Sequence, residues 1–330
     1  MLCLGIESTA HTFGVGIIEE KKGKCRIITN EKDMYHTEKG GFIPSEVGRH
    51  HVEVCDLVLR KALEKAKLKM QDIDIISYSQ SPGIGTTLEI GCIAAKSLAL
   101  LFNKPLVGVN HCIAHMEIGK ALCGAKDPLM LDVAGANTQI LAYEAGKYRI
   151  FGESLDGGLG NYIDKFARDL GLGFPGGPKI EQLALSGKKL IELPYSVKGM
   201  DVSFGGIFTN IRQKWKSKEY TQEDLCFSLQ ETVFAMLIET CERAMAHTGK
   251  KELLLGGGVA CNARLQEMAS IMCKERGAKM YCPEKQFLTD NGAMIAWLGA
   301  LSYHAGNVIS VKMAGTNAYL RTDQVEVNWL

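Results

Sequence analysis

His111 and His115 stand four residues apart in the segment NHCIAH, which begins at Asn110. On a helix this spacing puts both imidazoles on one face, about 5–6 Å apart, close enough to hold one metal ion. Asn110 is placed to cap that helix. A zinc peptidase needs Glu directly after the first His as a general base; Cys112 stands there, so protease chemistry is disfavoured. Imidazoles need carboxylate company to favour iron or manganese rather than a thiolate site for structural zinc. Asp290 in TDNGAMIA and Asp132 in LDVAGAN are the best candidates, each where a strand or loop meets a small-residue turn. His36, His50, His51, His247 and His304 read as solvated. Adjacent His50 and His51 point to different helix faces and so do not share a metal.

Four small-residue turns could cradle phosphate on open backbone N–H groups: residues 7–11, 81–85, 132–137 and 256–262. None fits the Walker pattern, and no G-x-G-x-x-G follows the first strand, which disfavours P-loop ATPases and Rossmann dehydrogenases. Pro175-Gly176-Gly177-Pro178 opens another helix. Its glycines would let a flat ligand lie against the backbone, with Glu181 able to accept from ribose hydroxyls. The plainer reading is a rigid loop ahead of a helix.

The elements that must position these groups alternate between strand and helix, which gives an α/β class. Apolar runs predict strands at 2–8, 13–20, 73–79, 105–109, 129–133, 138–143 and 252–256. Helical spacing predicts helices at 45–69, 87–102, from 111, 161–170, 223–247, after 256 and at 290–304. On the first helix Val47, Val54, Leu57, Val58 and Ala62 form the buried face. The hairpins GIESTAHTFGVGI and LDVAGANTQILA resemble each other and place Glu7 and Asp132 equivalently, which hints at an internal duplication.

Composition narrows the class further. The 330 residues carry 38 Lys+Arg against 37 Asp+Glu, which excludes a generally basic nucleic-acid binder but not a local patch. No apolar run approaching 18 residues is expected, so no membrane span is predicted. Eleven scattered cysteines without a C-x-x-C pair suggest reduced thiols and a cytoplasmic setting, with Cys3, Cys92 and Cys241 as core residues.

GIESTAHTFGVGI, KGGFIPSEVGRHH, SPGIGTTLEIG, GVNHCIAH, VAGANTQI, GFPGGPKIE, KGMDVSFGGI, LGGGVACNARL and TDNGAMIAW, in this order, resemble the motifs of the tRNA threonylcarbamoyladenosine synthesis family (TsaD in bacteria). The likeness is strongest to the archaeal and eukaryotic branch, the catalytic subunit of the KEOPS complex, and it covers nearly the whole chain. It implies an actin/Hsp70-like duplicated two-lobe fold with the nucleotide and metal site in the interlobe cleft. One lobe would be 1–126, completed by 291–330; the other would be 127–290.

The implied activity is transfer of a threonylcarbamoyl group from threonylcarbamoyl-AMP to the N6 amine of adenosine 37 in tRNAs reading ANN codons. The metal ligands carry over to His111, His115 and Asp290. Nucleotide positions carry over to Asp132, Val133, Ala134, Gly135, Ala136, Asp164, Gly177, Glu181 and Asn262. One divalent ion is expected, iron(II) first with zinc or manganese as alternatives, together with threonylcarbamoyl-AMP and ATP. Expected partners are tRNA, a small dimerising Pcc-type subunit, a Bud-type kinase and a Cgi-type subunit, with packing on the helices 45–69 and 111–123. Glu7 and His11 are the candidate bases.

The chain departs from the family at Asp132, where archaeal members carry a metal-binding Tyr, at Ala134 and Ala136 within an SGGN pattern, and at Gly206 in place of Ser. Asp132 remains a competent oxygen ligand. The competing reading is a nucleotide-binding chaperone or scaffold of the same fold, which would not need a protein-held metal. Basic residues cluster at Arg60, Lys61, Lys65, Lys67 and Lys69, and at Arg212, Lys214, Lys216 and Lys218 around Trp215. The second cluster could touch phosphate with Trp215 stacking; the plainer reading of both is a solvated face.

Overall fold

The structure, a computed structural model, describes residues 1–37 and 42–330. Lys39, Gly40 and Gly41 of the segment KGGFIPSEVGRHH lie outside the described residues. The chain opens with an antiparallel meander, β1 (Leu2–Glu7), β2 (Thr12–Lys21) and β3 (Lys24–Met34). Helix α1 (Pro44–Ala66) leads to β4 (Ile75–Ser81), and α2 (Gly85–Phe102) leads to β5 (Leu106–Asn110); α3 (His111–Cys123) follows without a break. Strands β4 and β5 add in parallel beside β1, giving the order β3-β2-β1-β4-β5.

A second meander, β6 (Leu129–Val133), β7 (Thr138–Glu144) and β8 (Lys147–Glu153), precedes α4 (Leu159–Asp169) and α5 (Gly177–Ala184). A two-residue pair, β9 (Val197–Lys198) and β10 (Asp201–Val202), leads into α6 (Gly205–Ser217) and α7 (Gln222–Thr248). Then come β11 (Glu252–Gly256), α8 (Ala263–Glu275), β12 (Lys279–Tyr281), α9 (Lys285–Leu288) and α10 (Gly292–His304). The second sheet reads β8-β7-β6-β11-β12, again an antiparallel meander extended by two parallel strands. Strand order and directions repeat, so the duplication suggested by the two hairpins extends over both sheets.

Helices α3 and α10 lie between the sheets. One buried cluster joins Cys3, Ile75 and Val107 of the first sheet to Met130, Leu141 and Leu254 of the second, through Ile113, Met116, Ile118 and residues 293–298. The first nine residues of α3 are all buried. This corrects the expectation that α3 offers a partner surface: it is interior between the lobes. Each sheet also carries its own core, with α1 and α2 over the first and α4–α8 over the second.

Close backbone contact sets the place of α10. Gly5 and Gly16 face each other in the β1–β2 ladder. A Cβ on Gly5 would lie 2.2 Å from the Ala296 nitrogen, and one on Gly16 would lie 2.1 Å from the Ala293 nitrogen. The first turn of α10 therefore beds directly on bare strand backbone. Asn291 caps the helix by accepting from the Met294 N–H at 3.0 Å, leaving Asp290 just outside.

Several sequence expectations are corrected. Helix α2 spans 18 residues with mean hydropathy 1.4, so a run of that length does exist; it packs on β4 and α1, burying Leu88, Cys92, Ala95 and Ala99. Leu57 is exposed rather than part of the buried face of α1. His51 is buried, not solvated, and its Nδ1 lies 3.3 Å from that of His50, so the two rings do converge. Strands β3, β8 and β12 and helix α6 were not predicted. Only two of the eleven β3 residues, Thr29 and Glu31, are buried, so this edge strand carries little apolar signal. All eleven cysteines are free thiols, and Cys3, Cys92 and Cys241 are buried.

Buried His51 makes stability depend on pH. Burial first, then His50 and His11, hold its pKa down at about 4. The unfolded chain binds this proton near pH 6.5, whereas the folded chain binds it only near pH 4. Stability is therefore full above 6.5 and declines as pH falls towards 4, by roughly 2–3 kcal/mol. Urea unfolding at pH 7 and 4.5 should show a smaller loss in His51→Leu than in the parent chain; equal losses would refute this.

Candidate metal centre and interlobe cleft

Each half contributes a strand that ends in a small-residue turn, and α3 starts where β5 ends. The side chain of Asn110 accepts from the N–H groups of Cys112 at 3.0 Å and Ile113 at 3.2 Å, which fixes the first turn of α3. His111 and His115 then share one face with ring centroids 4.8 Å apart. Asp290, delivered by the α10 packing, meets them. Its Oδ1 lies 3.5 Å from His111 Nε2 and 3.7 Å from His115 Nε2. The three residues offer ligand atoms all within 4.8 Å of one another.

The group fits a divalent ion. Ligands about 2.1 Å from a tetrahedral ion stand about 3.4 Å apart, close to the 3.5 and 3.7 Å that separate Asp290 Oδ1 from the two histidines. Both ring nitrogens of buried His115 lack a hydrogen-bond partner among the described residues, as does Asp132 Oδ1. Buried polar atoms without partners are costly and call for an occupant. Two imidazoles and carboxylate oxygen suit iron, manganese or zinc. Asp132 is buried at the end of β6, close enough to feel both histidines and Asp290, but it lies outside the three-residue group. Burial raises its pKa, against the two histidines.

Glu7 stands behind His111 rather than free in the cleft. Its Oε2 accepts from His111 Nδ1 at 3.0 Å, and its Oε1 accepts from Thr9 N–H at 2.6 Å and Thr9 Oγ1 at 2.5 Å. Glu7 is fully buried. These bonds place the proton on Nδ1 and leave Nε2 facing Asp290. Burial works against charge on His111, but Glu7, Asp290 and Asp132 push its pKa up to about 9. The same histidines, with His11, hold the Asp290 carboxyl below the usual carboxylate range despite burial. Glu7→Gln should weaken metal binding about 10- to 100-fold in chelator competition; unchanged affinity would remove this orienting role.

The two base candidates therefore separate. Glu7 has both oxygens engaged by the protein, through His111 and Thr9. His11 sits in the same turn with its ring edge-on to Phe174 at 5.4 Å and Phe42 at 6.5 Å. Burial lowers its pKa, against Asp290 and Asp164, so it is held neutral.

The nucleotide positions named from the resemblance, Asp164, Gly177, Glu181 and Asn262, lie at or near the starts of α5 and α8 or are hydrogen-bonded to them. Asp164 Oδ1 accepts from the Gly176 N–H at 2.7 Å, and Glu181 Oε1 accepts from the Ala263 N–H at 2.7 Å. A Cβ on Gly177 would meet nothing within 4 Å, so the backbone there is open to a ligand. The Asn262 side chain is committed: Oδ1 caps α8 and Nδ2 donates to Gln230 Oε1 at 2.8 Å.

Of the four turns, residues 81–85 do not form an open cradle. Gly83 N–H donates to Ala318 O and Ile84 N–H to Thr9 O, so this loop braces the first turn. The turn after β6 is open at Gly135 and Ala136, which are exposed while Val133 is buried and Ala134 half-buried. The α6 patch is not a free stacking surface. Arg212 pairs with Asp169, Lys214 lies over the Tyr220 ring at 5.2 Å, and Trp215 is half-buried against the core. On α1, Arg60 pairs with Asp56, and Lys61 and Lys65 share Glu31.

Comparison with known proteins bears on this site. A sequence model described as tRNA N6-adenosine threonylcarbamoyltransferase (TsaD) matches residues 25–297. The chain is 53% identical over 329 residues to the tRNA N6-adenosine threonylcarbamoyltransferase of Thermococcus kodakarensis, covering all of both chains. It is 48% identical to the protein of that name from Xenopus laevis, covering 99% of each chain. A probable bifunctional tRNA threonylcarbamoyladenosine biosynthesis protein of Thermoplasma acidophilum is 47% identical over all of this chain, which spans 61% of that relative. Among solved structures, T. kodakarensis HypF superposes with a TM-score of 0.64 at 17% identity, over 95% of this chain and 48% of that one. A Clostridium difficile 2-hydroxyisocaproyl-CoA dehydratase activator gives 0.55 at 12% identity, over 91% of this chain and 94% of that one. These two likenesses show the shared two-lobe fold.

Proposed function

The chain belongs to the tRNA N6-adenosine threonylcarbamoyltransferase family, TsaD, and we propose that its interlobe cleft moves threonylcarbamoyl from threonylcarbamoyl-AMP to the N6 amine of adenosine 37 in tRNA. The observation that carries this reading is the converged group His111, His115 and Asp290, in which both ring nitrogens of buried His115 lack a hydrogen-bond partner among the described residues, at the junction of two phosphate-sized turns. A chaperone or scaffold of the same fold has no use for such a group.

His111, His115 and Asp290, with Asp132 beside them, would hold one divalent ion, iron(II) first among iron, manganese and zinc. When bound, that ion supplies Lewis acidity at the donor's anionic oxygens. Glu7 and Thr9 hold the His111 ring for it. Asp164, Gly177 and Glu181 line the wall for the donor adenosine, and the N–H groups of Gly135 and Ala136 face its phosphate. The acceptor amine attacks the carbamoyl carbon, the carbon–oxygen bond to phosphate breaks, and AMP leaves. His11, neutral through burial, takes the amine proton. The donor is already activated, so positioning carries most of the rate.

With 38 Lys+Arg against 37 Asp+Glu the chain carries little net positive charge, so tRNA affinity comes mainly from KEOPS-type partners. Val52 and Leu57 on α1 and Ile93, Leu100 and Leu101 on α2 are exposed apolar residues, and α1–α2 is the docking face for those partners. Reconstitution decides the reading: metal-loaded chain, its partner subunits, unmodified tRNA and threonylcarbamoyl-AMP should yield threonylcarbamoyladenosine and AMP. No modified nucleoside under these conditions would overturn it.

A further inference from the structure

Lys32 lies on β3, outside every motif of the chain, yet its side chain ends at the metal group. It projects on the face that carries Asn30, whose Oδ1 accepts from the Ala293 N–H at 3.3 Å. Lys32 Nζ donates to Thr289 Oγ1 at 2.5 Å and to the Asp290 carbonyl at 3.1 Å. These two bonds hold a half-buried ammonium beside the His111–His115–Asp290 group instead of in open water. An ammonium has three N–H donors, so one remains.

No carboxylate among the described residues lies within ion-pair distance of Lys32 Nζ. Lys61 and Lys65, on α1 over the same strand, both pair with Glu31. Lys32 is thus a partly desolvated cation satisfied by two neutral oxygens, an arrangement that is costly until an anion arrives. Its electrostatic neighbours are Asp290 on one side and Cys261, in the glycine turn after β11, on the other. It also acts on His11 in the first turn. The ammonium therefore faces the space that the transferase reading assigns to the donor. A tie from β3 to the loop before α10 would need only the two neutral bonds and no charge.

We propose that Lys32 binds an anionic oxygen of the acyl-adenylate donor, from the phosphate or from the amino-acid carboxylate, and sets donor affinity. The proposal rests on the transferase reading. Asp132, Asp164 and Asp290 lie around the same space, so a donor carrying two negative charges gains from a cation in addition to the bound metal ion.

Calorimetric titration of the metal-loaded full chain with AMP and with threonylcarbamoyl-AMP tests this without turnover. Lys32→Gln should weaken the donor about tenfold or more, and Lys32→Arg should recover most of that loss. Equal weakening of AMP and donor assigns the phosphate; weakening of the donor alone assigns the carboxylate. In transfer assays the effect should fall on KM more than on kcat. Unchanged binding of both ligands by Lys32→Gln would overturn the proposal. So would weakening that tracks a fall in Tm and is not recovered by Lys32→Arg. A parent chain that binds donor normally but transfers nothing would refute the transferase reading while leaving the Lys32 site standing.

Discussion

Replacing His115 with leucine should abolish metal loading and lower threonylcarbamoyl transfer by about a thousandfold or more, the scale of about 4 kcal/mol of charge stabilisation at the reacting oxygens. The same change should leave the metal-free fold intact. The His115 side chain is 1% exposed, and neither ring nitrogen has a partner among the described residues. Truncation to an apolar side chain of similar size removes two unsatisfied buried atoms, which offsets the loss of the 3.7 Å pairing with Asp290. Metal-free His115→Leu should therefore melt close to the temperature of the metal-free parent. The metal-loaded parent should melt higher than either, because an ion bound only by the folded state adds its binding energy to stability. Elemental analysis, transfer assays and melting curves on both chains check this. A variant that retains full metal content, or one that loses metal but keeps its activity, would refute the assignment of His115.

Replacing Gly16 with alanine should destabilise the chain by about 3 kcal/mol or more and lower Tm by about 5 °C or more. The new Cβ would lie 2.1 Å from the Ala293 nitrogen and 2.4 Å from the Gly292 carbonyl carbon. Both neighbours are backbone in a capped helix turn, so relief requires moving α10 off the sheet. That movement carries Asp290 with it, so metal affinity should fall along with stability although residue 16 touches no ligand. Gly206→Ala is the matched control. It lies in α6, and its added Cβ would meet nothing within 4 Å, so it should be neutral or stabilise by a few tenths to about 1 kcal/mol. Equal melting points for Gly16→Ala and the parent would refute direct bedding of helix on strand.

Local signals in the chain were strong where a period or a cap spoke for itself. The His111/His115 spacing, the Asn110 cap, the repeated hairpin and the apolar parallel strands were all legible, because each is set by residues within a few positions of one another. Edge strand β3 and helix α6 were not. The apolar spacing of Ile207, Phe208, Ile211 and Trp215 was present in α6, but it stood between two glycines and a run of lysines. His51 was misread because a polar side chain on a helix is ordinarily solvated; only packing against Phe13, with ring centroids 5.5 Å apart, buries it.

The sequence by itself determined the family and the duplicated α/β plan, and it named His111, His115 and Asp290 as the candidate metal group, the first two through their spacing and the third through the family resemblance. Tertiary structure decided which carboxylate does what. Asp290 joins His111 and His115 because bare glycines in β1 and β2 let α10 sit on the sheet. Glu7, which the sequence offered as a base, is turned by the end of β1 into the orienting partner of His111. Lys32 carried no signal at all, because its importance lies in an ammonium brought to Asp290 across more than 250 positions of chain. Charge and burial act through space, and the distances that make them matter exist only once both sheets have closed on α3 and α10.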